Sequence, residues 1–339
     1  VHALRRRRAL PDDAARPSPR LSRMTYERAD AALIDLLEGL VASDYHFITP
    51  TPATHARVID RSSKAQARDV RDIFGWSLPF APDLLPPALS EPLVRSGMVR
   101  DEGRLWRSRV RVSSMGEKLF LHSAYPTDEK DSVFLGPDSY RFARFLAEEI
   151  PFLGEVRHLV DIGAGAGVGA IAAAPLVGAA KITLTDVNPL ALYFARLNAR
   201  HAGVALDTLE CEGLDGVADP IDLVIANPPL IVDPDARSYR HGGGLHGARL
   251  SLDWAEAAAR RIVPGGRMLL YTGSAIVDGR DRLEEGLLQS LPPLGCSLRY
   301  AEIDPDIFGE QLDKPGYEDV ERIAAIGAVI VKDSAPAGD

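Results

Sequence analysis

An asparagine followed by two prolines and a leucine stands at Asn227, Pro228, Pro229 and Leu230, directly after the apolar run of residues 221–226. The run predicts a buried parallel strand, and the prolines must end it because they cannot donate to a sheet ladder. In an open α/β sheet, ligands bind just beyond the carboxyl ends of the strands. The amide of Asn227 donates and accepts hydrogen bonds, so it could hold a polar group of a substrate there. A turn that merely ends the strand is the alternative, because Asn-Pro is common in turns.

A glycine-rich segment at residues 163–169 follows a second apolar run and precedes an alanine-rich one. Glycines let the backbone turn sharply and approach a ligand closely, and a helix that starts after them adds unpaired N–H donors. Gly165, Gly167 and Ala170 also fit the GxGxxA spacing of dinucleotide-binding loops. The segment predicts a cofactor loop but does not distinguish one nucleotide-type cofactor from another.

Two acidic residues follow the next two predicted strands. Asp186 ends the second strand, and its carboxylate can accept hydrogen bonds from both hydroxyls of a ribose, which suits NAD and S-adenosylmethionine alike. Asp186 or Asn188 could instead only cap the helix that begins at Pro189. Glu212 follows the third strand and could lie beside an adenine ring or be an ordinary loop acid.

The segments between these residues predict the sheet that must position them. From about residue 156 onward, short apolar runs alternate with helical patterns, which implies a doubly wound, Rossmann-like α/β sheet of seven strands. The predicted strands are residues 156–162, 181–185, 207–211, 222–226, 267–272, 297–303 and 324–331. The predicted helices are residues 168–176, 189–201, 255–262 and 283–291, and a turn is predicted at residues 264–266.

The N-terminal third predicts a smaller α+β domain. Residues 26–41, 63–74 and 89–94 have helical patterns, and two strands follow on either side of a turn at Gly103. Helices followed by a β-ribbon are typical of a winged-helix module. A small cap that shapes a substrate cleft is the alternative.

The composition excludes several classes of protein. The net charge of −9 argues against nucleic-acid binding through the whole surface, and no apolar stretch predicts a transmembrane helix. The two cysteines, Cys211 and Cys296, lack CxxC spacing, so we expect a reduced cytoplasmic protein without disulfide or zinc. Residues 1–23 contain seven arginines and predict a basic, disordered arm that could touch RNA or an acidic partner. We favour an untranslated leader instead, because the chain opens with Val1 and Met24 begins a helix.

The glycine loop, Asp186 and the Asn-Pro-Pro-Leu motif together resemble the class I S-adenosylmethionine-dependent methyltransferases. Three further stretches, residues 133–140, 239–247 and 264–270, are similar to the HemK-like group, whose members methylate glutamine side chains in proteins. The resemblance spans roughly residues 132–332. It implies a methyltransferase sheet that binds S-adenosylmethionine.

The resemblance also implies roles for individual residues. In that superfamily the glycine loop cradles the methionine part of the cofactor and the acid after strand two holds the ribose. The implied cofactor-binding residues are Asp161, Gly163, Ala164, Gly165, Gly167, Asp186, Val187, Glu212, Gly213 and Asn227. The Asn-Pro-Pro motif marks the branch that methylates nitrogen, so the implied catalytic residues are Asn227, Pro228, Pro229 and Leu230. Leu230 stands where the family usually has an aromatic ring that can stack on a flat acceptor, and its absence favours an amide over a nucleobase.

We therefore expect an N-methyltransferase whose acceptor is a glutamine amide in a release-factor-like or ribosomal protein. The expected organisation is a basic arm (1–23), a helical, winged-helix-like recognition domain (24–125), the catalytic domain (126–333) and a flexible tail (334–339). Neither a metal nor a membrane partner is expected.

Several alternatives remain at this stage. RNA or DNA base methylation is supported by arginines around the predicted ribbon, which could equally keep a solvated ribbon edge from aggregating: Arg95, Arg100, Arg104, Arg107, Arg109 and Arg111. An NAD-dependent oxidoreductase would fit the glycine spacing, and a non-catalytic binding module would keep the fold alone. His241 and His246 are expected in a loop that closes over the substrate rather than at a metal. Trp106 and Trp254 are expected in the core or an interface.

Overall fold

The computed structural model describes residues 23–231 and 242–334. The helices are α1 (Arg23–Ala42), α2 (Pro52–Ile59), α3 (Val70–Phe74), α4 (Pro87–Arg95), α5 (Pro137–Glu149), α6 (Val168–Val177), α7 (Pro189–His201), α8 (Arg249–Arg261) and α9 (Arg282–Ser290). The strands are β1 (Val99–Asp101), β2 (Trp106–Ser108), β3 (Val110–Met115), β4 (Lys118–Ser123), β5 (His158–Ile162), β6 (Lys181–Asp186), β7 (Asp207–Glu210), β8 (Ile221–Ala226), β9 (Ile262–Val277), β10 (Arg280–Asp281), β11 (Cys296–Asp304) and β12 (Arg322–Lys332).

A large, mostly parallel sheet organises the second part of the chain. Its strand order is β11-β12-β9-β8-β5-β6-β7, with the two-residue β10 paired to the end of β9. The neighbours from β9 to β7 are parallel, whereas β12 is antiparallel to both β9 and β11. The strand order reverses between β5 and β8, so the ligand-binding crevice of such a sheet is expected there. The predicted doubly wound sheet is confirmed.

The two faces of the sheet are buried under different helices. Val160, Val224 and Leu270 pack with α8 and α9 on one face. Alternate residues such as Leu159 and Ile225 pack with α5, α6 and α7 on the other. Side chains alternate between faces along a strand, and burial of both faces explains why these strands are almost continuously apolar.

The prediction of one continuous helix over residues 63–74 is wrong. This segment forms a short 3-10 turn (Ser62–Lys64) and then the separate helix α3. The buried carboxylate of Asp72 explains the break. It pairs with Lys64 and accepts a hydrogen bond from the Arg68 N–H, which folds the intervening residues back. The Asp69 side chain then caps the new helix by accepting from the Asp72 N–H at 2.8 Å.

Two other boundaries differ from the sequence prediction. Residues 264–266 do not separate two elements but form a bulge within β9, where Gly265 has a φ of +79°. In the N-terminal third, the strand predicted after the turn at Gly103 is split at Arg109 into β2 and β3. Because β3 pairs with β4, this region contains two separate two-stranded ribbons rather than one.

The N-terminal ribbon β3–β4 packs directly on the large sheet's helical layer. Asn198 on α7 is fully buried, and its side-chain oxygen accepts from the Leu121 N–H at 2.8 Å. Its Nδ2 donates to the Leu121 carbonyl at 3.0 Å and to the Ala166 carbonyl at 2.9 Å. One amide therefore ties a strand of the N-terminal part to the loop after β5.

Within the described residues, no helix is both long and apolar enough to cross a membrane.

We expect Asn198→Leu to lower the free energy of unfolding by about 3–5 kcal/mol, because it leaves three buried backbone groups without partners. Urea denaturation of the full chain measures this change. Arg200→Leu is the matched control, since Arg200 lies on the same helix but is exposed, and it should change stability by at most about 0.5 kcal/mol. Equal effects of the two substitutions would contradict the bridging role of Asn198.

Candidate functional site

The glycine loop connects β5 to α6, and two of its glycines are required by their surroundings. Gly163 has a φ of +64°, and a Cβ added there would lie 2.5 Å from the indole ring of Trp254. Gly167 has a φ of +80°, precedes the first residue of α6, and lies against Ala195 of α7. Both positions exclude larger residues, so the loop backbone can run close to the carboxyl end of the sheet.

The carboxylate of Asp186, at the end of β6, holds this loop in place. It accepts hydrogen bonds from the Gly165 N–H at 2.9 Å and from the Asn188 N–H at 2.8 Å. Burial raises the pKa of Asp186, and these N–H donors oppose that shift. A carboxylate has about four acceptor positions, so two remain for a ligand. The cap of α7 is Asn188, whose side chain accepts from the Leu190 N–H.

A second carboxylate, Asp161, is buried on β5 beneath the loop. Its Oδ2 accepts from the Ala170 N–H at 2.8 Å, in the first turn of α6. Burial raises the pKa of Asp161 to about 7; the Ala170 N–H opposes this shift, while the nearby Asp186 adds to it. A cationic group of a ligand beside Asp161 would favour its charged form.

The Asn-Pro-Pro-Leu motif follows β8 at the same edge of the sheet. Asn227 is half-buried and Leu230 is buried. A Cβ built on Gly273 would lie 2.8 Å from Leu230 Cδ1, so the leucine side chain fills the space above β9. The following backbone is fixed by the Gly242 N–H, which donates to the Ile231 carbonyl at 2.8 Å.

One cavity of about 770 Å³ lies against both features. Its wall includes the following predicted residues: Asp161, Gly163, Ala164, Gly165, Asp186, Val187, Glu212, Gly213, Asn227, Pro228, Pro229 and Leu230. Gly167 is not part of the wall and acts through the loop conformation described above. Strand order places Asp186 on β6, the loop after β5 and Asn227 after β8, so these residues follow one another along the edge of the sheet.

Several wall residues were missed by sequence reasoning. Trp254, expected in the core or an interface, packs against the core and also lines the cavity. Tyr125 comes from the N-terminal third, and Phe308 and Gln311 come from the connection between β11 and β12. These positions carry no motif, but Trp254 had a detectable signal because it lies one turn into a helix that follows the Asn-Pro-Pro motif.

Asp138, at the start of α5, is another missed cavity residue. Its Oδ1 accepts from the hydroxyl of Tyr271 at 2.9 Å, and Arg141 lies between Asp138 and Asp304. Burial raises the pKa of Asp138, whereas the Tyr271 hydroxyl and Arg141 lower it. This network ties α5 to β9 and to the end of β11.

The histidine predictions have different outcomes. His241 lies outside the described residues. His246 has a left-handed backbone (φ +53°), and its Nε2 lies 2.9 Å from Asp319 Oδ1. Across the residues described, no cluster of three metal-ligating side chains exists. His246 therefore joins two loops.

Comparison with known proteins shows what the chain resembles. Residues 133–274 match the family described as "Methyltransferase small domain". The "Release factor glutamine methyltransferase" of Deinococcus radiodurans is 32% identical over 233 residues, which cover 62% of this chain and 77% of that protein. The "Ribosomal RNA large subunit methyltransferase G" of Vibrio vulnificus is 38% identical over 103 residues, or 29% of this chain and 27% of that one. A solved structure of M. jannaschii TYW2 in complex with AdoMet has a TM-score of 0.45 at 14% identity, covering 66% of this chain and 87% of that chain.

The raised pKa of Asp161 predicts a pH-dependent stability. The folded-state pKa lies near 7 against an ordinary value of 3.8, so the stability from keeping this group protonated is lost as pH rises through about 7. Between pH 5 and pH 8 we expect the wild type to lose about 3 kcal/mol relative to Asp161→Asn. Denaturation at both pH values measures the difference. Glu117→Gln, at an exposed turn, is the control and should lose as much stability as the wild type. If the wild type and Asp161→Asn had the same pH dependence, the raised pKa would not belong to Asp161.

Proposed function

Because this chain belongs to the HemK-like group of class I S-adenosylmethionine-dependent methyltransferases, we propose that it methylates the side-chain amide nitrogen of a glutamine in a protein. The observation that carries the proposal is the common cavity of the glycine loop, Asp186 and Asn227, with Leu230 beside them. Family membership removes the oxidoreductase and the non-catalytic module from consideration. The choice of acceptor is the part that requires a test.

The cavity residues fit the cofactor of this family. The remaining acceptor positions of Asp186 would hold the ribose hydroxyls, and Glu212 and Val187 lie further along the same edge to receive the adenine. The buried Asp161 would face the cationic amino end, where a positive charge offsets the cost of its ionisation. When bound, the cofactor supplies an electrophilic methyl group on a sulfonium.

The motif supplies what an amide acceptor lacks. An amide nitrogen is a poor nucleophile because its lone pair is delocalised into the carbonyl. We propose that Asn227 Oδ1 and the Pro228 carbonyl each accept one N–H of the amide, which fixes the nitrogen with its lone pair towards the methyl group. Positioning of this kind can contribute ~7–11 kcal/mol in favourable cases.

The same two oxygens also stabilise the transition state. Positive charge would grow on the nitrogen as its bond to the methyl group forms and the bond from the methyl group to sulfur breaks, leaving a neutral thioether; acceptor dipoles fixed beside the nitrogen lower the energy of that charge. The methylated nitrogen becomes acidic and loses its proton to water. No strong general base is required of the chain.

Leu230 bears on the choice between amide and base. An aromatic side chain at this position would add a stacking contact worth ~1–3 kcal/mol for a nucleobase. Leu230 packs against a flat group without a π-face, and its side chain is already engaged above Gly273. An aliphatic side chain at this position therefore favours the smaller amide over a nucleobase as the acceptor.

Nucleobase methylation is the second candidate, since ribosomal RNA methyltransferases are among the relatives. The arginines that supported it are partly committed to the fold. Arg111 is buried, donating to the Gly75 carbonyl and contacting His55, so it cannot meet a phosphate. Arg95 pairs with Asp35 and Arg107 with Glu102. The exposed arginines that remain are Arg100, Arg104 and Arg109.

We predict that Asn227→Ala abolishes turnover and leaves cofactor affinity near the wild-type value, because the side chain holds the acceptor. Calorimetric titration with S-adenosylhomocysteine measures the affinity, and a methyl-transfer assay measures the turnover. Gln289→Ala, which truncates an exposed amide side chain on α9, is the control and should leave turnover unchanged. A comparable loss of cofactor binding in Asn227→Ala would contradict the role assigned to Asn227.

The acceptor class is tested with radiolabelled S-adenosylmethionine and cell extract, followed by protease or nuclease digestion. We expect protease to release the label, and N5-methylglutamine to be detected after enzymatic digestion to amino acids, because acid hydrolysis would cleave its amide to glutamate and methylamine. A glutamine peptide taken from the labelled protein should be methylated, while the same peptide with asparagine should not, because its shorter side chain cannot reach the clamp. Label that only nuclease releases would show that the acceptor is a nucleic acid.

A further inference from the structure

The connection between β11 and β12, residues 305–321, is held to neighbouring elements at both ends and contributes Phe308 and Gln311 to the cavity wall; we call it the acceptor loop. At its start, Arg141 of α5 donates to Asp304 Oδ2 at 3.0 Å. Near its end, Asp319 pairs with His246 and the hydroxyl of Tyr317 donates to the His246 carbonyl at 3.1 Å. These contacts join the loop to α5 and to the glycine-rich segment behind the Asn-Pro-Pro-Leu motif.

The acceptor loop lies on the side of the cavity away from the ribose site. Asp186 ends β6, whereas the acceptor loop joins β11 and β12, on the other side of β8. The Ile307 N–H donates to the Ile323 carbonyl at 2.7 Å. A Cβ on Gly273 would lie 3.5 Å from the Ile323 side chain and 2.8 Å from that of Leu230. The loop therefore begins beside Leu230, at the acceptor end.

Gln311 is the buried polar residue that this loop brings to the cavity. It is 3% exposed and lies in the wall, in a 3-10 turn (Gly309–Gln311) whose Gln311 N–H donates to the Phe308 carbonyl at 2.7 Å. Among the residues that the structure describes, none forms a hydrogen bond with the side-chain amide of Gln311. The amide nitrogen and oxygen nevertheless keep some accessible surface, so they are not sealed inside the protein. The amide is thus reached from the cavity, where it is free to pair with a ligand.

The proposed acceptor has a group that the Asn227 clamp does not satisfy. A glutamine amide presents two N–H donors and one carbonyl, and the clamp oxygens take only the donors. A buried carbonyl without a partner costs free energy, so a hydrogen-bond donor is needed at the acceptor end. Two other polar residues of the cavity wall do not provide this donor. The Asp138 carboxylate already accepts from Tyr271 and pairs with Arg141, and Lys314 is exposed.

We infer that Gln311 determines acceptor specificity by donating its side-chain N–H to the carbonyl oxygen of the glutamine amide being methylated. The inference rests on the proposed function. This hydrogen bond is made in the bound substrate and persists in the transition state, so it strengthens binding without raising the rate of methyl transfer. A donor on the carbonyl also increases amide delocalisation, which gives the nitrogen no added nucleophilicity. Loss of this hydrogen bond is therefore expected to raise KM and not to lower kcat.

The test compares two substitutions in steady-state assays with a glutamine peptide. Gln311→Met removes the donor and should raise KM about 10-fold, and Gln311→Glu replaces it by a carboxylate that repels the carbonyl and should raise KM about 100-fold. We expect kcat within about 3-fold of wild type and unchanged S-adenosylhomocysteine affinity. Gln289→Glu, the same change at an exposed position of α9, is the matched control.

A second measurement separates recognition from a packing role. In an ornithine peptide, the carbonyl is replaced by methylene and the terminal group is an ammonium, so it should inhibit Gln311→Glu more tightly than wild type. A misplaced loop would weaken the ornithine and the glutamine peptide alike, and that result would overturn the inference. An unchanged KM in both variants would also overturn it while leaving the proposed function intact. The proposed function itself fails if the wild type methylates no glutamine peptide.

Discussion

The parallel pairing of β5 with β8 is the constraint on which the site depends. Ile162 lies opposite Ala226 in this register, so both strands end at the same level. The residues that follow, Gly163 and Asn227, therefore face one crevice although they are 64 positions apart in the chain. A shift of one residue would reverse which side chains of a strand face each helical layer, and both layers are buried, so the register is strongly specified. Burial of two apolar faces is thus what brings the loop and the motif together.

Sequence patterns predicted those parts of the fold and site where local chemistry decides the structure. The alternation of apolar strands and helices depends on burial of both faces, and it predicted the sheet with its seven main strands. Asn227, Asp186 and the glycine loop end or follow strands, so topology alone predicted that they would meet. Asn188, not Asp186, caps α7, which leaves Asp186 oriented to the loop and the cavity. The capping pattern allowed either residue; in the structure Asn188 accepts from the Leu190 N–H, whereas Asp186 accepts from the Gly165 N–H.

Long-range contacts were beyond such patterns. The break before α3 depends on Asp72 collecting Lys64 and the Arg68 N–H, and nothing in a helical pattern reveals that a carboxylate will be buried there. Gln311 lies in a connection with no regular pattern, and its place in the cavity results from contacts with β12 and α5. Arg111 had the appearance of a surface cation, yet the ribbon turns it inward onto a backbone carbonyl. The N-terminal third likewise shares one apolar cluster with α6 and α7, so its packing surface could not be separated by composition.

Trp254 gives the molecule a built-in optical reporter. Its indole is the close neighbour of Gly163, and of the three tryptophans in the chain it is the one that lines the cavity. Trp76 and Trp106 lie instead against the apolar cluster of the N-terminal third. Indole fluorescence depends on local polarity, so binding of a ligand in the cavity changes the emission of Trp254. The emission of Trp76 and Trp106 provides a steady background. Occupancy of the loop can therefore be followed in real time without attaching a dye.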